Sequence, residues 1–255
     1  MSAYPPSLTQ IDHVAPAPRR VRGIAGGTTI FDTVRALYVW ERPEYPQYYI
    51  PRCDVRMDLL VSDGERIVTP QGDALPHSLR SGGTDRRHAA RLVVASPVGV
   101  LFDTVRFVWN GIESWYEEDE EIFVHPRSPY TRVDSLRSRR TVRVELDGVV
   151  LAQSASPVML FETGLPTRYY MDRGDVNFAH LVASSTRTQC PYKGRTTGYW
   201  SVHTGATTYA DLAWMYSFPT REALPIAGLV AFLNENVDLF IDGVPAPRPV
   251  THMSS

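Results

Sequence analysis

The sequence predicts a mainly β protein built as two related β-sandwich or half-barrel domains with few short helices. Three observations carry that expectation. Short runs of alternating apolar and polar residues are closed by Asp-Gly turns. Twenty prolines and seventeen glycines punctuate the chain too often for long helices. The two halves also match each other, with Glu41 falling on Glu162 at an offset of 121 residues.

Taken in order, residues 1–22 read as a flexible N-terminal tail rich in proline and alanine. A first repeat follows over 23–125, an Arg-rich linker over 126–141, a second repeat over 142–246 and a C-terminal tail over 247–255. The repeat rests on several agreements at one offset. Val39-Trp40-Glu41 meets Leu160-Phe161-Glu162, Tyr48-Tyr49 meets Tyr169-Tyr170, and Arg52, Asp54 and Val55 meet Arg173, Asp175 and Val176. Pro70 meets Pro191, and beyond it the offset drifts so that Phe107 pairs best with Phe232. Two copies make a tandem pair rather than a solenoid, which needs three or more. A shorter echo between residues 31–35 and 102–106 does not fit the register and reads as chance.

Within the second repeat, Val142 to Leu146 alternates, Asp147-Gly148 supplies the turn, and Val149 resumes the strand. Asp-Gly suits a hairpin because both central residues of a type I′ turn need positive φ. Asp242-Gly243 repeats the device after Val237 to Ile241. Residues 158–162, 198–202 and 228–233 read as strands. Residues 221–236 carry apolar residues at helical spacing, yet Pro225 and Gly228 argue against a long helix.

Composition narrows the function classes. A net charge of -2 provides no field to recruit nucleic acid or an anionic membrane. No apolar run reaches the length of a membrane span, and the N-terminus has no signal-type stretch. Two cysteines, Cys53 and Cys190, fit a reduced cytoplasmic protein better than a disulfide scaffold. The expected partner is therefore a small molecule. No motif calls for a cofactor or a metal: the P-loop, dinucleotide, Cys-x-x-Cys and Gly-x-Ser-x-Gly signatures are all missing. The acidic run Glu117 to Glu121 could hold a divalent cation, but neighbouring strand residues face opposite ways. It reads better as a solvated edge beside arginines.

One residue stands out. Lys193 is the only lysine among 26 basic residues, and it lies in Cys190-Pro191-Tyr192-Lys193-Gly194. A bias toward arginine accounts for its rarity but not for its place. At the common offset the first repeat has Thr69-Pro70-Gln71-Gly72-Asp73 there, without either nucleophile.

The run from Leu160 to Tyr170, the Cys-Pro-Tyr-Lys-Gly pentapeptide, Tyr199-Trp200-Ser201-Val202 and the closing Ile226 to Phe232 together resemble a bacterial and fungal family catalogued as domain of unknown function number 427. The likeness covers the second repeat almost fully and the first more loosely. It implies a compact β-rich domain in tandem arrangement. The family's label implies nucleotidyltransferase activity, though the Asp-x-Asp carboxylates that known enzymes of that kind use for Mg²⁺ are absent.

Two readings of the site follow. In the first, a small-molecule site occupies the second repeat, and the first repeat is its degenerate partner. Lys193 would hold a phosphate or carboxylate, or attack a carbonyl if burial lowered its pKa. Cys190 would be a second nucleophile, Glu162 an acid or base, and Arg168 an anion clamp. Tyr170, Tyr192, Tyr199 and Trp200 would line the ligand. In the second reading the tandem domains form a non-catalytic scaffold for protein contacts, and Cys190 and Lys193 are incidental.

Overall fold

Alternation fixes the architecture. In the computed structural model, which describes residues 9–205 and 207–251, nearly every element is a strand, and the helical pieces are short 3-10 turns. The chain is mainly β, and the described residues fall into two compact units, 9–128 and 129–251.

A large sheet and a four-stranded one recur in each unit, and the second unit adds the two-stranded pair Gln189–Cys190 and Gly194–Arg195. In the first unit the larger sheet runs, from one edge to the other, Val14–Pro16, Leu37–Val39, Gln47–Pro51, Thr104–Phe107, Thr84–Ala95, Gly72–Ser81 and Leu60–Ser62, with Ile67–Thr69 also paired to Gly72–Ser81. In the second unit the order is Val133–Arg137, Val158–Glu162, Arg168–Met171, Val230–Phe232, Thr207–Met215, Gly198–Thr204 and Leu181–Ser184. The smaller four-stranded sheets also correspond strand for strand, with Val21–Ala25 and Ser114–Glu117 central in the first and Val142–Leu146 and Asp238–Ile241 central in the second. Even cation–π contacts recur: Arg22 lies over Tyr116 at 5.3 Å and Arg143 over Phe240 at 4.4 Å.

The turns follow the sequence closely. Asp147 and Gly148 both take positive φ, as do Asp242 and Gly243, and each pair joins antiparallel neighbours. Of the segments read as tails, residues 1–8 and 252–255 lie outside the described residues. Val14–Pro16 forms an edge strand paired with Leu37–Val39. Likewise Val133–Arg137, within the segment read as a linker, pairs with Val158–Glu162 along five residues. Residues 221–236 divide into a 3-10 turn, Arg221–Ile226, with Pro225 inside it, and the strand Val230–Phe232. The echo of 31–35 in 102–106 has no structural counterpart, because Phe31 is core while Phe102 is exposed in a turn.

Between the two sheets of each unit lies the main core, around Phe31, Trp40, Phe107 and Trp115 in the first and Leu151, Met171, Val202 and Phe232 in the second. A smaller apolar cluster covers the opposite face of each large sheet: Val39, Tyr49, Val93 and Leu101, and in the second unit Val158, Leu160, Tyr170, Tyr216, Ala223, Ile226 and Ala231. Strand alternation puts Glu162 on the same face as Val158 and Leu160. A charged residue thus sits at the rim of an apolar cluster.

Candidate functional site

Lys193 is carried on a small hairpin whose arms are Gln189–Cys190 and Gly194–Arg195. Thr188 and Thr196 brace its base, the Thr188 N–H donating to the Thr196 hydroxyl at 2.8 Å. Gly194 has φ +96°, a conformation that side chains rarely adopt and that turns the chain back after Lys193. The hairpin ladder also revises the alignment of the repeats. Thr69 pairs with Gly72 in the first unit, and Cys190 pairs with Gly194 in the second. Gly72 therefore corresponds to Gly194, and Lys193 belongs to a tip one residue longer.

From that tip the Lys193 ammonium donates to Glu162 Oε2. The side chains retain only 12% and 6% of their exposure, so the pair lies mostly out of water. Burial alone would lower the pKa of Lys193. The Glu162 carboxylate, with Cys190 and Tyr170 close enough to add to it, outweighs that penalty and raises it. The amine is therefore held protonated at neutral pH. This runs against the expectation of a lysine made nucleophilic by burial, because the partner charge sits beside it. An ammonium has three donors. Among the described residues Glu162 alone accepts from this one, and Glu162 Oε1 receives no hydrogen bond.

Aromatic residues stand around the pair. The Tyr170 phenol is pushed up to about 12 by burial, a rise that Lys193 and the hydrogen bond from Trp214 only partly offset. Trp214 Nε1 donates to the Tyr170 hydroxyl at 3.1 Å. Tyr216 is raised further, again by burial first, with Tyr170, Cys190, Tyr199 and Glu162 as its charged or ionisable neighbours. Tyr199 lies against Trp214 with ring centroids 6.4 Å apart, and its hydroxyl meets Thr188 at 3.1 Å.

The residues singled out in the sequence thus divide. Glu162, Lys193, Cys190, Tyr170 and Tyr199 converge on one face. Tyr192 sits at the hairpin tip, its carbonyl accepting from the Thr220 hydroxyl at 2.6 Å. Trp200 is not in this group. It follows Tyr199 on a strand and so faces the other way, into the main core, with an edge contact to Phe178 at 5.7 Å. Arg168 makes a bidentate pair with Glu235, at 2.6 and 2.8 Å, and these side chains are 7% and 0% exposed. Its fork is satisfied inside the unit, so it is poorly placed to clamp a ligand. Tyr216, Thr220 and Glu235 were missed in the sequence. For Tyr216 a signal existed, since it lies two residues after Trp214, where an extended chain returns to the same face.

The first unit solves the same electrostatic problem differently. Glu41, the counterpart of Glu162, is bound by Arg91 Nη2 at 2.6 Å and by Arg106 Nε and Nη2, each at 3.1 Å. Tyr49, the counterpart of Tyr170, donates to Glu41 Oε1 at 2.8 Å. Burial would raise the Glu41 pKa, but the two guanidiniums lower it. Register places Arg91 where the second unit has Trp214 and Arg106 where it has Ala231. The cations of the first unit come from strands, and the cation of the second comes from a hairpin tip.

The acidic run forms a hairpin with its turn near Glu118 and Asp119. Glu117 is buried against Arg19, Tyr48 and Arg127, while Asp119 pairs with Arg22 at 2.7 Å. Glu117 and Glu120 share Arg127, and Glu118 accepts from the Arg20 N–H.

No helix among the described residues is long and apolar enough to cross a membrane. A search of curated proteins finds no match. A family model named NTP_transf_9 matches residues 13–94 and 134–243, more than half of the chain and one segment in each unit. The chain belongs to the family described as Domain of unknown function (DUF427), of which it carries two copies.

Proposed function

We propose that the second unit holds a binding site for a small molecule bearing a phosphate or carboxylate, centred on Lys193 and Glu162 and walled by Tyr170, Tyr199 and Trp214. One observation supports the reading above the others. A buried ammonium with donors to spare and a carboxylate with an unused oxygen lie side by side on a hairpin tip, whereas the first unit closes the equivalent position with two strand arginines. Lys193 acts here as a fixed positive charge, since a paired ammonium is a poor nucleophile at neutral pH. Glu162 holds that charge in place and offers its free oxygen to a ligand hydroxyl or amide. The setting is a reducing one such as the cytoplasm, supported by the two unpaired cysteines.

A thermal-shift screen with inorganic phosphate, nucleotides, sugar phosphates and short carboxylic acids tests the reading. A ligand at about 100 times its Kd stabilises by about 2.7 kcal/mol, enough to move Tm by several degrees. The expected result is a shift in the wild type that Lys193→Met abolishes. If none of these compounds shifts the wild type, or the shift survives Lys193→Met, the site is not a ligand site and the scaffold reading stands.

A further inference from the structure

The hairpin that carries Lys193 to Glu162 is held at its tip by a second segment. A segment following the strand Thr207–Met215 crosses its tip. The Thr220 hydroxyl donates to the Tyr192 carbonyl at 2.6 Å, and the Thr220 N–H donates to the Lys193 carbonyl at 3.2 Å. Upstream, the Ser217 N–H donates to the Thr197 hydroxyl at 2.8 Å, and the Thr197 N–H to the Met215 carbonyl at 2.9 Å. A Cβ on Gly194 would sit 3.5 Å from the Phe218 carbonyl oxygen and from the Thr220 nitrogen, so the two backbones are already in contact.

The first unit makes a comparable contact from a neighbouring position. There the Ser96 hydroxyl donates to the Gln71 carbonyl at 2.6 Å, and Gln71 precedes Gly72, the counterpart of Gly194. A Cβ on Gly72 would collide with the Ala95 carbonyl oxygen at 2.1 Å. Gln71 in turn reaches Arg91 Nη2 at 3.5 Å, and Arg91 holds Glu41. In both units, then, a hydroxyl from the segment after the long strand fixes the residue or residues before a glycine. A polar side chain there is thereby delivered to the cluster of the glutamate that both units share. Two occurrences with different side chains at the tip separate the latch from the lysine it serves.

We infer that Thr220 is the positioning residue of Lys193: its hydroxyl and N–H lock the hairpin tip so that the ammonium stays on Glu162. Without the hydroxyl the tip has one anchor fewer, and Lys193 spends time in water.

Lys193 is the only lysine in the chain, so one amine reports on the latch. Amine labelling at about pH 9, located by peptide mapping to separate Lys193 from the N-terminal amine, and the single lysine Cε resonance are read in Thr220→Val and Thr220→Ser. Thr220→Val should label faster by about tenfold, the gain in free amine when a pKa falls by one. Thr220→Ser keeps the hydroxyl and should label as the wild type does. Ser96→Ala, which opens the latch of the other unit, should leave Lys193 unchanged. A folded Thr220→Val with wild-type labelling and resonance overturns the inference. Should that variant fail to fold, Thr220→Ala is read in the same way, and slow labelling in it overturns the inference equally.

Only the ligand arm depends on the function proposed above. If inorganic phosphate shifts the wild type, Thr220→Val should weaken that shift and Thr220→Ser restore it. A labelling change with no phosphate shift in any variant would retire phosphate as the ligand and leave the positioning role standing.

Discussion

Breaking the Lys193–Glu162 pair from each side, and from both, tests whether its burial matters as described. Lys193→Met leaves a carboxylate with 6% side-chain exposure and no cation, and Glu162→Gln leaves an ammonium at 12% without its counter-charge. Stranding one charge of a buried pair costs about 3–5 kcal/mol. Both side chains keep a little exposure, so the lower end, about 3 kcal/mol, is expected for each single change. The double variant strands neither charge. It should be little worse than either single, giving a coupling energy of about 2–3 kcal/mol. Urea unfolding at neutral pH measures this, provided the slope with denaturant is the same in all four proteins. A coupling below about 0.5 kcal/mol would refute the reasoning, because the two side chains would then behave as exposed neighbours.

The same pair has a signature in alkali. The pKa of Lys193 is raised in the folded protein. Its contribution is therefore complete below the unfolded value of about 10.4 and is lost as pH rises toward the folded one. The loss should run at about 1.4 kcal/mol per pH unit. Buried tyrosines such as Tyr170 lose stability over the same range, since their phenols ionise more easily once unfolded. The difference between wild type and Lys193→Met reports the lysine together with the change its loss makes in Tyr170.

Further outcomes are expected elsewhere in the two units. Arg106→Met should cost only about 1–2 kcal/mol in urea, because Arg91 still holds Glu41. In acid the stabilisation from Glu41 should fade as pH drops through its lowered pKa, and Glu41→Gln should remove that dependence. Glu235→Ala strands Arg168 in a fully enclosed pair and should cost about 3–5 kcal/mol. Arg168→Lys, which cannot make the bidentate contact, should show a loss of about 2 kcal/mol by the same measurement. Gly82→Ala should be far more damaging than Gly83→Ala. Both have positive φ, but a Cβ at 82 would lie 2.0 Å from the Gly26 carbonyl oxygen while one at 83 meets nothing. Thermal melts should show a loss of about 1 kcal/mol for 83 and at least twice that for 82.

Alternation, Asp-Gly turns and the match at an offset of 121 are local or periodic signals, so the strand-rich fold and its duplication were legible in the sequence. The repeat also marked Glu41 and Glu162 as equivalent, and composition singled out Lys193. The partners of these residues were not legible. Arg91 and Arg106 reach Glu41 across a sheet whose register depends on pairings between distant strands. Arg168 and Glu235 lie 67 residues apart, and nothing in their spacing announces a buried fork. Trp200 and Tyr199, adjacent in the chain, part company because a strand turns successive side chains to opposite faces. Lys193 aligned with Gly72 only while the tips were taken to be equal in length, and the hairpin ladder removed that match. The sequence by itself determined which residue types each copy carries and the period of its strands. Tertiary structure alone decided which charges meet and how far from water, because both depend on contacts between segments that only the folded sheets bring together.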